Sequence, residues 1–259
     1  MTKNINEIKP FYIWEGVYET FQSTELEATG PGFEGDIYLN RSLIVANECL
    51  DALKLCKPIP EFHKQRNTLL PVTVAMMLEN IDSVRVLDFG GGLGIGYMTL
   101  IESIPDFLNK VDYTIVENQE VCDIASKLLE DVNFTSTLPV SSSYDLIHAS
   151  SSLQYIEHWQ DVLVKFTLFN PKYILLSDVF AGNIKPFVTL QNYYESRIPH
   201  WFLNLQEVLD VLKEHGYHLI MKSYTSSRRL DVEDVLPMDN FPENYRLPQT
   251  FHLLLKRIV

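Results

Sequence analysis

Val84-Arg85-Val86-Leu87-Asp88-Phe89-Gly90-Gly91-Gly92-Leu93-Gly94-Ile95-Gly96 is the stretch that decides the fold of this 259-residue chain. Val84, Val86, Leu87 and Phe89 give it the β-branched and apolar character of a buried strand. The glycines at 90, 91, 92, 94 and 96 then make a turn whose backbone can take positive φ and whose surface lacks Cβ atoms. A turn of this kind at the carboxyl end of a parallel strand is where open α/β sheets hold nucleotides.

The glycine spacing narrows the nucleotide. The dinucleotide fingerprint asks for Gly at i, i+2 and i+5. From Gly90 and Gly92 the third position is Ile95, from Gly92 and Gly94 it is Tyr97, and from Gly94 and Gly96 it is Thr99. No register completes the fingerprint. A phosphate-binding P-loop fails too, because Tyr97 follows Gly96 where that loop needs Lys.

What remains is an acidic strand end followed by alternating glycines: Asp88, Gly90, Gly92 and Gly94. This resembles motif I of the Rossmann-like, S-adenosylmethionine-dependent methyltransferases. That cofactor carries an amino group and a sulfonium and no phosphate, so a carboxylate suits it and a cationic loop is not needed. Val111 to Val116 reads as the next strand, ending at Glu117. An acidic residue about twenty positions after the glycine loop can accept hydrogen bonds from ribose hydroxyls. The resemblance implies a cofactor set of Asp88, Gly90, Gly91, Gly92, Gly94, Glu117, Asn118, Ser150 and Ser151, with S-adenosylmethionine as cofactor and S-adenosylhomocysteine as its product.

Later segments keep the family's order. Ser143 to Ala149 reads as a central strand with a small polar exit at Ser150-Ser151-Ser152, although Gln154 and Tyr155 stand where Glu and His often stand. Tyr173 to Asp178 reads as a fifth strand. Leu205 to His215 reads as an amphipathic helix closed by Gly216, and Tyr217 to Ser223 with Thr250 to Lys256 as a terminal antiparallel pair. The expected architecture is an α/β, Rossmann-like methyltransferase fold over residues 83–259. It has a seven-stranded, mostly parallel sheet with helices on both faces. Residues 1–82 form an extension, with helical periodicity over Ser42 to Leu55 and Leu69 to Leu78. Its aromatic run Phe11 to Phe21 and its Gly30-Pro31-Gly32-Phe33 loop either pack on the core or lid the acceptor.

The Trp14-Glu15-Gly16-Val17-Tyr18 run and the Gly32-Phe33-Glu34-Gly35 turn carry a narrower resemblance. They are similar to a family of bacterial methyltransferases encoded among genes for surface polysaccharides, capsule or O-antigen. That resemblance implies a role in capsule or O-antigen modification without defining the acceptor. O-methylation is the reaction expected, with a sugar hydroxyl or a sugar-linked phosphoryl or phosphoramidate oxygen as the acceptor types to test. The acceptor belongs over the carboxyl ends of the fourth and fifth strands. Of the segments that reach there, the insert Tyr193 to Phe202 is the densest in polar and aromatic groups. His200 is the first candidate base, because its ordinary pKa suits proton transfer near neutrality. Tyr155 is a second catalytic candidate, Tyr193, Tyr194 and Trp201 are substrate-binding candidates, and Arg197 is a candidate clamp for a phosphate or carboxylate. His148 reads as a core residue.

The balance of 34 acidic against 21 basic residues, a net charge of -13, disfavours DNA or RNA as a partner. It leaves room for a small or sugar-linked acceptor. Arg228-Arg229, beside Asp231, Glu233 and Asp234, reads as a solvated loop. Three cysteines without CxxC spacing imply neither a disulfide framework nor zinc, and no metal is expected. The chain lacks a signal-peptide pattern and a membrane-length apolar run, so a cytoplasmic protein is expected. Two other readings stay open: a Rossmann enzyme using a different nucleotide, and a non-catalytic binding module on a methyltransferase scaffold.

Overall fold

Val84–Phe89 is an interior strand of a seven-stranded sheet, flanked on both sides by parallel strands. The computed structural model describes residues 10–140, 143–226, 228–229, 232–233 and 235–258. In chain order they form β1 (Trp14–Tyr18), α1 (Asp36–Lys54), α2 (Glu61–Lys64), α3 (Leu69–Leu78), β2 (Val84–Phe89), α4 (Ile95–Ser103), α5 (Phe107–Lys110), β3 (Val111–Val116), α6 (Gln119–Ala125), β4 (Asn133–Thr135) and β5 (Leu146–Ser150). Then come α7 (Trp159–Leu168), β6 (Tyr173–Val179), β7 (Ala181–Gly182), β8 (Phe187–Tyr193), β9 (Ser196–Asn204), α8 (Leu205–Glu214), β10 (Tyr217–Tyr224), β11 (Arg228–Arg229), β12 (Val232–Glu233) and β13 (Phe251–Arg257).

The large sheet has the order β10-β13-β6-β5-β2-β3-β4. Its five strands from β6 to β4 are parallel, and β13 is inserted antiparallel to both β6 and β10. Strands covered on both faces carry near-continuous apolar runs, and all seven residues of β6 are buried. One face packs against α1, α3, α4 and α6 through Ala46, Leu70, Val74, Met98 and Val121. The other face packs against α7 and α8 through Trp159, Leu163, Phe166, Val208 and Leu212. Each large apolar side chain buried this way contributes roughly 1.5–3 kcal/mol, so the two helical layers fix the sheet and, with it, the strand ends that carry the site.

Helix boundaries follow local chemistry. Helix α3 spans the residues that its apolar run predicts. Helix α8 begins where Asn204 Oδ1 accepts the Gln206 and Glu207 N–H groups, and its chain reverses at Gly216, φ +84°. Helix α1 starts six residues before the periodic stretch, at Asp36, because extended Gly35 is its entry point.

The segment read as an insert is a strand hairpin. β8 and β9 pair antiparallel, β1 adds to β8 from the other end of the chain, and β7 pairs with β9. This second sheet has its own core of Trp14, Phe187, Phe202, Phe241 and Leu247, in which the Phe187 and Phe202 rings stack. Among the described residues no helix is long and apolar enough to cross a membrane.

Candidate functional site

The carboxyl ends of β2, β3, β5 and β6 open into two cavities. The larger has a volume of about 1010 Å³ and runs from the glycine turn, past Ser150 and Ser151, to Tyr155, Phe180 and Tyr193. The smaller, about 320 Å³, is lined by Gly90, Val116, Glu117, Asn118, Ser136, Ser152 and Ile156, among others. Phe33, Tyr38, Gly90, Ser151 and Tyr155 line both. The N-terminal segment supplies part of the larger wall through Phe11, Ile13, Trp14 and Phe33.

The glycine turn is built by close approach. Gly90, Gly92 and Gly94 have φ of +70°, +56° and +83°, where an L-residue is strained. A Cβ on Gly90 would lie 2.6 Å from Ser152 Cβ, and one on Gly94 would fall on Leu129 Cδ1. A Cβ on Gly92 would meet nothing within 4 Å, so at this position the free space is the cavity itself.

Glu117 closes the turn from the neighbouring strand. Its Oε1 accepts the Gly92 N–H at 3.1 Å and its Oε2 accepts the Asn118 N–H at 3.0 Å. Burial raises the carboxyl above its ordinary pKa, against the pull of those two N–H donors. Asn118 caps α6, its Oδ1 accepting the Val121 N–H at 2.9 Å. Asp88 is 1% exposed and holds a buried polar chain together. The Tyr113 hydroxyl donates to Oδ2 at 2.7 Å, and His148 Nδ1 sits 2.8 Å from Oδ1. His148 is the core residue that its place in a strand suggests, with Ser177 Oγ at 3.3 Å from its other nitrogen.

Two strand ends carry backbone strain. Ser151, just past β5, has φ +52°, and Asp178, on β6, has φ +50°. Positive φ on such residues costs of order 1–3 kcal/mol and gathers at functional sites. Asp178 is fully buried and takes two guanidiniums: Arg66 Nε at 3.1 Å and Arg229 Nη2 at 2.8 Å. The Thr250 hydroxyl donates to it as well, at 2.6 Å. Burial would raise this carboxyl, but Arg66, Arg229 and Thr250 together hold it at about 2. Arg229 therefore does not belong to a solvated loop. Its side chain is 10% exposed, lies over the Phe180 ring at 5.2 Å, and lines the larger cavity.

The acceptor-side expectations divide. Tyr155, Tyr193 and Tyr194 line the larger cavity. The Tyr155 hydroxyl donates to Gln191 Oε1 at 2.8 Å, and burial pushes the phenol up to about 12. It is thus an orienting donor rather than a neutral-pH base. Tyr193 packs in an aromatic cluster with Phe33 and Tyr38. His200 stands behind the wall, not on it. Its ring is fully buried among Trp14, Tyr155, Phe180 and Phe202, and neither nitrogen has a hydrogen-bond partner. Burial pushes it down to about 3, so it is a neutral core imidazole at physiological pH. Arg197 faces Glu27 and Glu15, and Trp201 donates to the Glu157 carbonyl beside Phe21. Neither lines either of the two cavities at the strand ends.

Three cleft residues escape a reading by motif: Arg41, Arg66 and His63. His63 Nε2 lies 2.8 Å from Glu48 Oε2, making a histidine–carboxylate pair on the cleft wall. Ser152 Oγ, on the smaller cavity, is buried without a hydrogen-bond partner. Together with the open space over Gly92 and the Glu117 carboxylate, it fits a nucleoside-sized ligand with hydroxyls.

The central parallel strands, the antiparallel insertion of β13 and the glycine turn before α4 define a Rossmann-like methyltransferase fold. Solved structures of that class superpose on the chain. The magnesium protoporphyrin IX methyltransferase of Synechocystis PCC 6803, solved with bound S-adenosylhomocysteine, matches with a TM-score of 0.52 and 11% identity over 87% of this chain and 97% of that one. An S-adenosylmethionine-dependent methyltransferase from Clostridium acetobutylicum matches with a TM-score of 0.51 and 11% identity over 84% of this chain and 98% of that one. No protein-family model and no curated protein matches the sequence.

Proposed function

We propose that this chain is an S-adenosylmethionine-dependent methyltransferase. The observation that carries this reading is Glu117 beneath Gly92. A carboxylate just past the end of β3 is drawn against a glycine turn whose outer face is open space. The broken dinucleotide register and the absence of a P-loop Lys point the same way. The bound S-adenosylhomocysteine of the Synechocystis neighbour adds support by likeness of fold.

The residues divide the work between the cavities. Glu117 would take the ribose hydroxyls, while Val116, Asn118, Ser152 and Ile156 of the smaller cavity would surround the base. The glycine turn and Asp88, whose carboxylate has acceptor capacity beyond its two partners, would face the amino-acid portion. The cofactor supplies an activated methyl on a sulfonium. The protein aligns the acceptor with it and keeps water out. The aromatic wall of Phe33, Tyr38, Tyr155 and Tyr193 serves that exclusion.

The acceptor enters the larger cleft in this reading, and O-methylation of a sugar hydroxyl or of a phosphoryl or phosphoramidate oxygen is the reaction proposed. Its place would be the building of a bacterial surface polysaccharide, as the Trp14-to-Tyr18 and Gly32-to-Gly35 resemblance implies. A hydroxyl acceptor needs its proton taken, and the His63–Glu48 pair is the cleft group with the chemistry to do so. A thermal-shift screen against S-adenosylmethionine, S-adenosylhomocysteine, NAD and NADP tests the cofactor. Stabilisation by the first two alone is expected, and stabilisation by NAD or NADP alone would replace this reading with a dehydrogenase.

A further inference from the structure

The charge on the walls of the larger cleft runs against the charge of the chain. The protein carries a net -13, yet among the described residues the larger cleft is lined by Arg41, Arg66 and Arg229 against the single carboxylate of Asp88. Asp88 is buried and already engaged by Tyr113 and His148. Convergence of three arginines on one concave surface of an acidic protein is a local reversal of sign.

The three are held differently, and the arrangements of Arg66 and Arg41 leave donors for a ligand. Arg66 follows α2 and meets Asp178 with Nε at 3.1 Å, its side chain 52% exposed. The same carboxylate takes Arg229 at 2.8 Å, so Asp178 is shared by two guanidiniums. Arg41, on α1, is exposed and lies 5.0 Å from the centre of the Tyr194 ring. No carboxylate lies within ion-pair distance of Arg41 among the described residues. A guanidinium seated on a ring or pinned at one edge keeps planar N–H pairs, which match an oxyanion bidentately.

Position separates this cluster from the cofactor side. Asp178 is on β6, two strands from β2 and the glycine turn. With strands about 4.8 Å apart, Asp178 itself lies roughly 10 Å to the side of the turn. The Arg66 carbonyl accepts the Ser150 hydroxyl at 3.4 Å, which ties the residue over the end of β5.

We infer that the methyl acceptor carries an oxyanion, a phosphoryl or carboxylate group, which Arg66 and Arg41 hold at the β5–β6 end of the cleft with Arg229 behind them. This rests on the methyltransferase reading and names the acceptor's chemical class. The oxyanion is a handle that positions the acceptor.

The test uses the full chain saturated with S-adenosylhomocysteine, titrated calorimetrically with glucose 1-phosphate, glucuronate and glucose. Both charged sugars are expected to bind and glucose is not; the tighter of the two identifies phosphoryl or carboxylate as the handle. Arg41→Gln, a change at an exposed position, should weaken the charged sugars about tenfold. Arg66→Lys, which keeps the charge and loses the fork, should weaken them too. Both variants should bind S-adenosylhomocysteine as the parent does. Glucose binding as well as its charged counterparts, or charged sugars indifferent to both substitutions, would overturn the inference. Loss of S-adenosylhomocysteine affinity in the arginine variants would overturn it as well, by assigning the cluster to the cofactor's own carboxylate. Failure of the parent to bind S-adenosylhomocysteine at all would instead remove the methyltransferase reading beneath it.

Discussion

Asp88 and His148 are direct register partners on the adjacent parallel strands β2 and β5, and their side chains meet at 2.8 Å in the sheet interior. The strand-end carboxylate that marks the glycine motif is therefore also a structural group. It satisfies Tyr113 and His148 beneath the turn. Asp88→Ala would strand two buried polar groups, each costing about 1–3 kcal/mol. A stability loss of roughly 3 kcal/mol in urea unfolding is expected, before any effect on ligand binding. A variant as stable as the parent would show that the chain Tyr113–Asp88–His148 does not form.

Gly92 and Gly94 differ in what surrounds them, and their alanine variants should differ accordingly. Both take positive φ, which costs an L-residue about 1–2 kcal/mol. Gly94→Ala would also drive a methyl into Leu129, whereas Gly92→Ala would point one into open space. Thermal unfolding should therefore drop further for Gly94→Ala. Binding of S-adenosylhomocysteine should suffer more, relative to stability, for Gly92→Ala. The reverse order would mean that the space over Gly92 is not where the ligand lies.

Asp178 gives the fold a dependence on acid. Its folded pKa of about 2 lies below the ordinary 3.8. Its charge therefore contributes stability above about pH 4, and that contribution is lost as pH falls toward 2. The shift corresponds to about 2 kcal/mol. The stability gap between the parent and Asp178→Asn should narrow over that window, as read by urea unfolding at stepped pH. A gap independent of pH would contradict the shared ion pair.

His200 acts with the same sign in a different window. Burial holds it near 3 against an ordinary 6.5, so unfolding takes up a proton between those values. Stability should fall as pH drops from about 6.5 toward 3, with a contribution of about 1.4 kcal/mol per pH unit. His200→Phe should remove that share of the slope. An unchanged slope would mean that the imidazole is not desolvated as described.

These residues also mark what was legible in the chain. Asp88, the glycines and Glu117 could be read directly, because a turn and a strand end are local and their spacing is set by backbone geometry. Six strands of the large sheet carry local signals of this kind, whereas β4 is only three residues long and was not legible, and the seven-stranded architecture came with the methyltransferase resemblance. The hairpin β8–β9 did not, because Pro199 and alternating polar residues blur its period. Its partner β1 lies at the other end of the chain. The place of Arg229 is hidden in the sequence for a related reason. Next to Asp231, Glu233 and Asp234 it has the pattern of a solvated charge cluster, and its pairing with Asp178 exists only after folding. Arg66 carries no motif at all and gains its place from α2 and the end of β6.

The central claim is that the β2–β3 end binds S-adenosylmethionine through Glu117. Isothermal calorimetry of S-adenosylhomocysteine with the parent chain and with Glu117→Ala tests it most directly. The parent is expected to bind in the micromolar range. The variant should keep its fold and lose roughly 10- to 100-fold in affinity, since hydrogen bonds to a charged group are worth about 1.5–3 kcal/mol. No binding by the parent, or equal binding by the folded variant, would contradict the account.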